Sequence, residues 1–146
     1  MKYNTEQEHL KMVFNEETQI KIKNFEGLKY VAPLAASIGL SAKQTTEALD
    51  RIPDNGVRAG TSLRWILNVL LENDEVLQEH CKIYNIQYSD IDPRKNTLIQ
   101  IVKIFAENNV KSIDIGFIFG NVVSYDFIDL VYAYRMGNIK DELFRE

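Results

Sequence analysis

The sequence predicts an all-α protein, a compact multi-helix bundle of six to eight short helices. Three observations carry that expectation. Apolar residues recur at helical spacing in several segments, most clearly at Leu63, Ile66, Leu67, Leu70 and Leu71, which form one stripe at i, i+3, i+4, i+7 and i+8. Glycines and prolines fall mostly between such segments, as punctuation. No segment alternates convincingly at period two; Ile83 to Ile91 comes nearest and is interrupted by Asn85 and Ser89-Asp90.

The elements follow in order. Residues 1–24 form a polar, charged segment in which Leu10, Val13 and Phe14 are compatible with a short helix. From about Phe25 to Ile38, Leu28, Val31, Ala32 and Ala35 repeat at helical spacing. Pro33 inside this run implies a kink or a start near it. Ala32, Ala35 and Ala36 are small enough to admit another helix closely, and Gly39 suits the position just past the helix end, where positive φ costs little. Ser41 followed by Gln44 is a capping-box pattern opening a helix to about Arg51, ended by Pro53 and the turn residues Asp54-Asn55-Gly56.

The Leu63 to Leu71 stripe defines the next helix, with Arg64, Asn68 and Glu72 on its other faces. Burying each of its large side chains stabilises by roughly 1.5–3 kcal/mol before entropy is counted. Asn73-Asp74 is expected to break this helix before a shorter one that reaches about Tyr84. Asp92-Pro93 reads as an N-cap followed by Pro at the first helical position of a segment carrying Leu98, Ile101, Val102 and Phe105, ended by Asn108-Asn109. A shorter helix over Ser112 to Phe119 closes at Gly120. A last strong one spans about Ser124 to Arg135 and ends at Gly137, with Lys140 to Arg145 helical or frayed. No linker composition divides residues 25–146, which therefore read as one helical domain.

Composition narrows the function classes. The chain has 146 residues, 45% hydrophobic and 26% charged, with a formal net charge of -4, all ordinary for a globular protein. Its cations are scattered rather than clustered, so broad affinity for phosphate backbones is not indicated. One cysteine, Cys81, excludes an internal disulfide. The longest apolar clusters, Trp65 to Leu71 and Ile115 to Phe119, are interrupted by Asn68 and Gly116 and fall far short of the ~20 residues that span a bilayer. Met1 to Leu10 has no signal-peptide core, so no membrane anchor is expected and the chain is expected in the cytoplasm unless a larger assembly carries it.

Reactive constellations are not apparent. His80 and Cys81 are adjacent and point about 100° apart on a helix, with no third soft ligand at i+3 or i+4. They read as a surface histidine beside a buried cysteine. Asp126 and Asp129 read as a solvated face opposite Phe127, Leu130, Val131 and Tyr134. Gly116 and Gly120 are four apart but lack the Lys-Ser or Lys-Thr of a phosphate loop, and Gly56 and Gly60 read as loop and close-packing positions. The tyrosines and phenylalanines, without a basic stripe, read as core. The expectation is of a protein that is not an enzyme and needs no cofactor, metal or small-molecule substrate.

The stretch Lys29 to Leu71 is distinctive as a whole. It carries an apolar, Ala-rich helix over Val31 to Ala36, then Gly39-Leu40-Ser41 opening a second helix, the Asn55-Gly56 turn, and Ala59-Gly60-Thr61-Ser62-Leu63-Arg64 opening a third. Further on come Leu98 to Phe105, Ser112 to Ile118, the pair Phe119-Gly120 and Val122 to Tyr134. In this order the segments, from about Phe25 to Tyr134, resemble the core region of phage tail tape measure proteins. The resemblance departs where Arg51-Ile52-Pro53 replaces Ala-rich sequence. Members of that family also carry long helical regions that set tail length, whereas 146 residues in one helix would reach only about 220 Å.

The resemblance implies a structural component of a phage or prophage tail. It would be found in the virion tail or in the host cytoplasm during assembly, self-associating or binding tube, initiator or chaperone proteins. It implies fold-determining rather than catalytic roles for Gly39, Ser41, Gly56, Ala59, Gly60, Leu63, Phe119 and Gly120. The alternative is a small phage or bacterial regulator that uses such a helical domain to bind a host protein or nucleic acid.

Overall fold

A computed structural model describes residues 22–54, 56–120 and 123–139. The helices considered above for residues 1–21 and for Lys140 to Arg145 lie outside them, as does Asn55 of the turn. Among the described residues there are seven α-helices and no strand. They are α1 (Ile22–Ser37), α2 (Ala42–Arg51), α3 (Gly56–Glu72), α4 (Glu75–Tyr84), α5 (Leu98–Glu107), α6 (Ser112–Phe119) and α7 (Val123–Arg135), with a 3-10 turn at Tyr88–Asp90. The all-α expectation holds. Contacts cluster into two units that divide between Arg64 and Trp65, inside α3, where no linker composition marks the boundary.

In the first unit, α1 runs through Pro33 and buries Leu28, Val31, Ala32 and Ala35 completely. Its end is a Schellman motif: Gly39 has φ +89°, its N–H donates to the Ala36 carbonyl at 3.1 Å, and the Leu40 N–H donates to the Ala35 carbonyl at 2.9 Å. Two residues later the chain re-enters a helix. The Ser41 hydroxyl accepts from the Gln44 N–H at 3.0 Å, and the Gln44 side chain accepts from the Ser41 N–H at 2.9 Å, a complete capping box. The resulting α2 packs against α1 through Ala42, Thr45, Thr46, Ala48 and Leu49.

α3 begins earlier than its apolar stripe suggested, at Gly56 with φ +56°. Gly60 is therefore inside the helix and not at its entry, and it is the close-packing position that its sequence context suggested. What it does there is steric. A Cβ on Gly60 would lie 2.1 Å from the Gly27 carbonyl oxygen, and a Cβ on Gly27 would lie 2.2 Å from the Gly56 carbonyl oxygen. The backbones of α1 and α3 touch where all three glycines meet, and only hydrogen fits between them.

In the second unit, α3 supplies Ile66, Leu67 and Leu70, all buried, and ends at Glu72. Asp74 caps α4 by accepting from the Leu77 N–H at 3.0 Å. Asparagine then replaces glycine in two Schellman endings: Asn85 after α4 and Asn109 after α5, each with φ +57°. There the Ile86 N–H reaches the Cys81 carbonyl and the Val110 N–H the Phe105 carbonyl.

The helix expected to open at Asp92-Pro93 does not start there. The Asp92 carboxylate accepts from the Arg94 N–H two residues on, at 2.9 Å, and the Lys95 and Asn96 N–H groups donate to the Asp92 carbonyl. That is a single closed turn of the Asx type, which competes with helix propagation. α5 starts instead at Leu98, under a capping box of Thr97 and Gln100. α5, α6 and α7 then surround an aromatic cluster in which Phe127 lies 4.8 Å from Phe105 and 4.5 Å from Phe119, centroid to centroid.

Candidate docking surface

The fold-determining residues named from the sequence lie mainly inside the two units. Ala59 and Leu63 are fully buried. Gly56 and Gly60 meet at the crossing with Gly27, a partner that the sequence reading did not single out. The only local hint for Gly27 was an isolated glycine within a helical pattern, since Gly56 and Gly60 recur on one helix face but do not say what they face. Gly39 and Ser41 join α1 to α2. In the second unit Phe119 is 1% exposed within the aromatic cluster, and Gly120, at φ +88°, turns the chain towards α7. The Phe119 carbonyl, one of the orphan acceptors at the end of α6, accepts from the Trp65 indole N–H at 2.9 Å. The Arg135 guanidinium similarly covers the carbonyls of Ala106, in the last turn of α5, and of Val110, just beyond it.

A polar clasp joins α4 to α6. Asp114, in the first turn of α6, accepts a hydrogen bond from the Tyr84 hydroxyl, and its other oxygen faces His80 Nε2 at 3.3 Å. His80 Nδ1 lies 2.7 Å from the Val76 carbonyl, so both ring nitrogens face oxygen acceptors. The Tyr84 oxygen in turn accepts from the Lys111 N–H at 3.2 Å, capping a helix whose own N-cap residue offers no side-chain bond. The hydrogen bond to Asp114 pushes the Tyr84 phenol above its ordinary range, because the carboxylate holds the proton on the hydroxyl. His80 is thus not a surface histidine: its side chain is 13% exposed and its ring stacks 6.4 Å from Phe117. Cys81 is half-buried, and burial raises its thiol pKa, which favours the unreactive protonated form.

Around the clasp the surface is apolar. Val76, His80 and Ile83 stand at i, i+4 and i+7 on α4, one stripe of that helix, and Ile113 and Phe117 stand one turn apart on α6. Ile83 is 70% exposed, Ile113 66%, Phe117 65% and Val76 39%. Tyr84 contacts α6 near its start, and His80 contacts Asp114 and then Phe117, so the two helices run antiparallel and the four apolar side chains form one face. Single exposed apolar residues are ordinary, but a contiguous patch marks an interaction site. A second, narrower stripe runs along α7 through Tyr125 and Tyr132 to Met136 just past its end. Asp129 is exposed on that helix, whereas Phe127, Leu130 and Val131 are buried.

No group of three or more His, Cys, Asp or Glu side chains is placed to hold a metal ion among the described residues. An open cavity of about 400 Å³ lies between α4 and the 3-10 turn, lined by Asn73, Gln78, Lys82, Asn85 and Tyr88 among others. Tyr88 closes one wall by donating its hydroxyl to the Leu70 carbonyl at 2.6 Å. Among the described residues no helix is long and apolar enough to cross a membrane. No protein-family model matches the chain, and comparisons with curated proteins and with solved structures return no match either.

Proposed function

We propose that the chain is a structural and assembly component of a bacteriophage or prophage tail, a tape-measure-like helical domain that works through its surface. The observation that carries this reading is the apolar face of α4 and α6, where Ile83, Ile113 and Phe117 are each about two-thirds exposed. Side chains of this kind are what the core of a protein interface is made of. The ordered motifs from Val31 to Phe119-Gly120 support the family assignment, and the residues they contain hold backbone geometry: two glycines at a helix crossing, one capping serine and one aromatic anchor. On this reading it self-associates or binds tube, initiator or assembly-chaperone proteins, it acts in the tail or in the host cytoplasm during assembly, and it performs no chemistry of its own.

The test is direct. The chain is purified, and its mass in solution is measured alone and with phage tail tube, initiator and chaperone proteins. Formation of a defined complex with one of them is the expected result. A chain that stays a strict monomer and binds none of them overturns the proposal, and specific binding to a host protein or to nucleic acid would replace it with the regulator reading.

A further inference from the structure

We infer that the face of α4 and α6 is the contact between two copies of this chain, packed about a two-fold axis that lies in the plane of the interface and runs across the two helices. The inference deepens the assembly reading by naming what covers that surface. Val76, Ile83, Ile113 and Phe117 together leave on the order of 400 Å² of apolar area in water, at the level of the largest patch an ordinary monomer tolerates. A standard interface takes about 800 Å² from each partner, a little over half of it apolar. The four side chains therefore supply about the apolar share that one side of such an interface needs, and the rest must come from the rim.

The rim selects the occupant. Because α4 and α6 run antiparallel, the face has two unlike ends. Where α4 begins, the exposed side chains are acidic, Asp74 and Glu75, with Glu79 one turn further on. Where α4 ends and α6 begins, they are basic: Lys82 and Lys111. Glu75, Glu79, Lys82 and Lys111 form no ion pair within the chain among the described residues. A two-fold axis lying in the interface plane and crossing the helices at the middle of the face lays the basic end of one copy on the acidic end of the other, so that one patch complements itself, as an isologous interface requires. Phe117, held against the His80 ring near the middle of α4, then meets its own counterpart near the axis.

The experiment is sedimentation equilibrium of the full chain from about 1 to about 200 μM, a range that resolves micromolar association. The expected mass rises to twice the single-chain value of 16.9 kDa. Phe117→Asp and, independently on the other helix, Ile83→Lys should each weaken dimerisation at least about 30-fold, as loss of a central apolar contact does. Both side chains are mostly in water, so helical circular dichroism should be unchanged. Lys111→Glu and Glu75→Lys should each weaken the dimer, and the chain carrying both should recover.

A single-chain mass at the highest concentration overturns the inference, as does a dimer indifferent to Phe117→Asp and Ile83→Lys. If the two charge reversals together are worse than either alone, the two-fold arrangement is wrong. A monomer that still binds tail tube protein refutes the dimer and leaves the assembly reading standing. A dimer that binds no tail component does the reverse.

Discussion

Replacing Gly60 by alanine tests the helix crossing of the first unit. In an exposed helix interior this change is stabilising by about 1 kcal/mol, because alanine is the better helix former and loses less backbone entropy on folding. At Gly60 the new methyl would sit 2.1 Å from the Gly27 carbonyl oxygen and 2.7 Å from its carbonyl carbon and Cα. Ordinary contact begins near 3.4 Å, so α1 and α3 must separate locally by about 1.3 Å, the difference of those two distances. The obstacle is backbone, which cannot swing aside as a long side chain does. Overpacking of this kind costs about 1–3 kcal/mol and here outweighs the propensity gain. It also opens gaps beside Leu28, Ala59 and Leu63, which are fully buried now.

Gly116 in α6 is the internal control, because a methyl there meets nothing within 4 Å. Urea unfolding followed by circular dichroism should show Gly60→Ala lowering stability by about 1–3 kcal/mol. Gly116→Ala should raise it by about 0.5–1 kcal/mol. Equal, stabilising shifts for the two variants would refute the reasoning, since they would mean that α1 and α3 do not touch at their backbones.

Three further outcomes are expected. Thr97→Ala removes the capping box of α5 and should destabilise by about 1 kcal/mol, whereas Thr97→Ser should restore most of the loss; unfolding midpoints decide. The Arg94 guanidinium and N–H hold the Asp92 carboxyl below its ordinary range, so its ionised form is favoured on folding. That contribution is complete above the usual carboxylate range and fades as pH falls through the depressed value, so acid unfolding of Asp92→Asn should show a shallower pH dependence on that limb than the unmodified chain. Trp65→Phe keeps the ring but deletes the indole donor to the Phe119 carbonyl, and a loss of about 0.5–1.5 kcal/mol is expected in the unfolding free energy; no change would show that water caps α6 equally well.

What the sequence determined by itself was local. The bounds of α2, the break between α3 and α4, and the ends of α5, α6 and α7 follow from residues within a few positions of one another: Ser41 with Gln44, Asp74, Asn108-Asn109, Gly120 and Gly137. Capping and αL turns are settled by neighbours along the chain, so they are legible without a fold. Asp92-Pro93 misled for a related reason, because the same carboxylate can cap a helix or close its own Asx turn, and Arg94 at 3.0 Å supports the turn.

Contacts across large sequence separations were decided only in the tertiary structure. Gly27 against Gly60, Trp65 against the Phe119 carbonyl, and Tyr84 and His80 against Asp114 bring together groups roughly 30 to 50 positions apart, and periodicity on one helix does not say which residue of another it will meet. The docking face was hidden for a further reason. In α6, Ile113, Ile115, Phe117, Ile118 and Phe119 surround the helix, so no amphipathic stripe separates an inner from an outer side. Packing against α4 and α7 buries Ile115, Ile118 and Phe119 and leaves Ile113 and Phe117 in water, because two neighbouring helices cover only part of a helix's circumference.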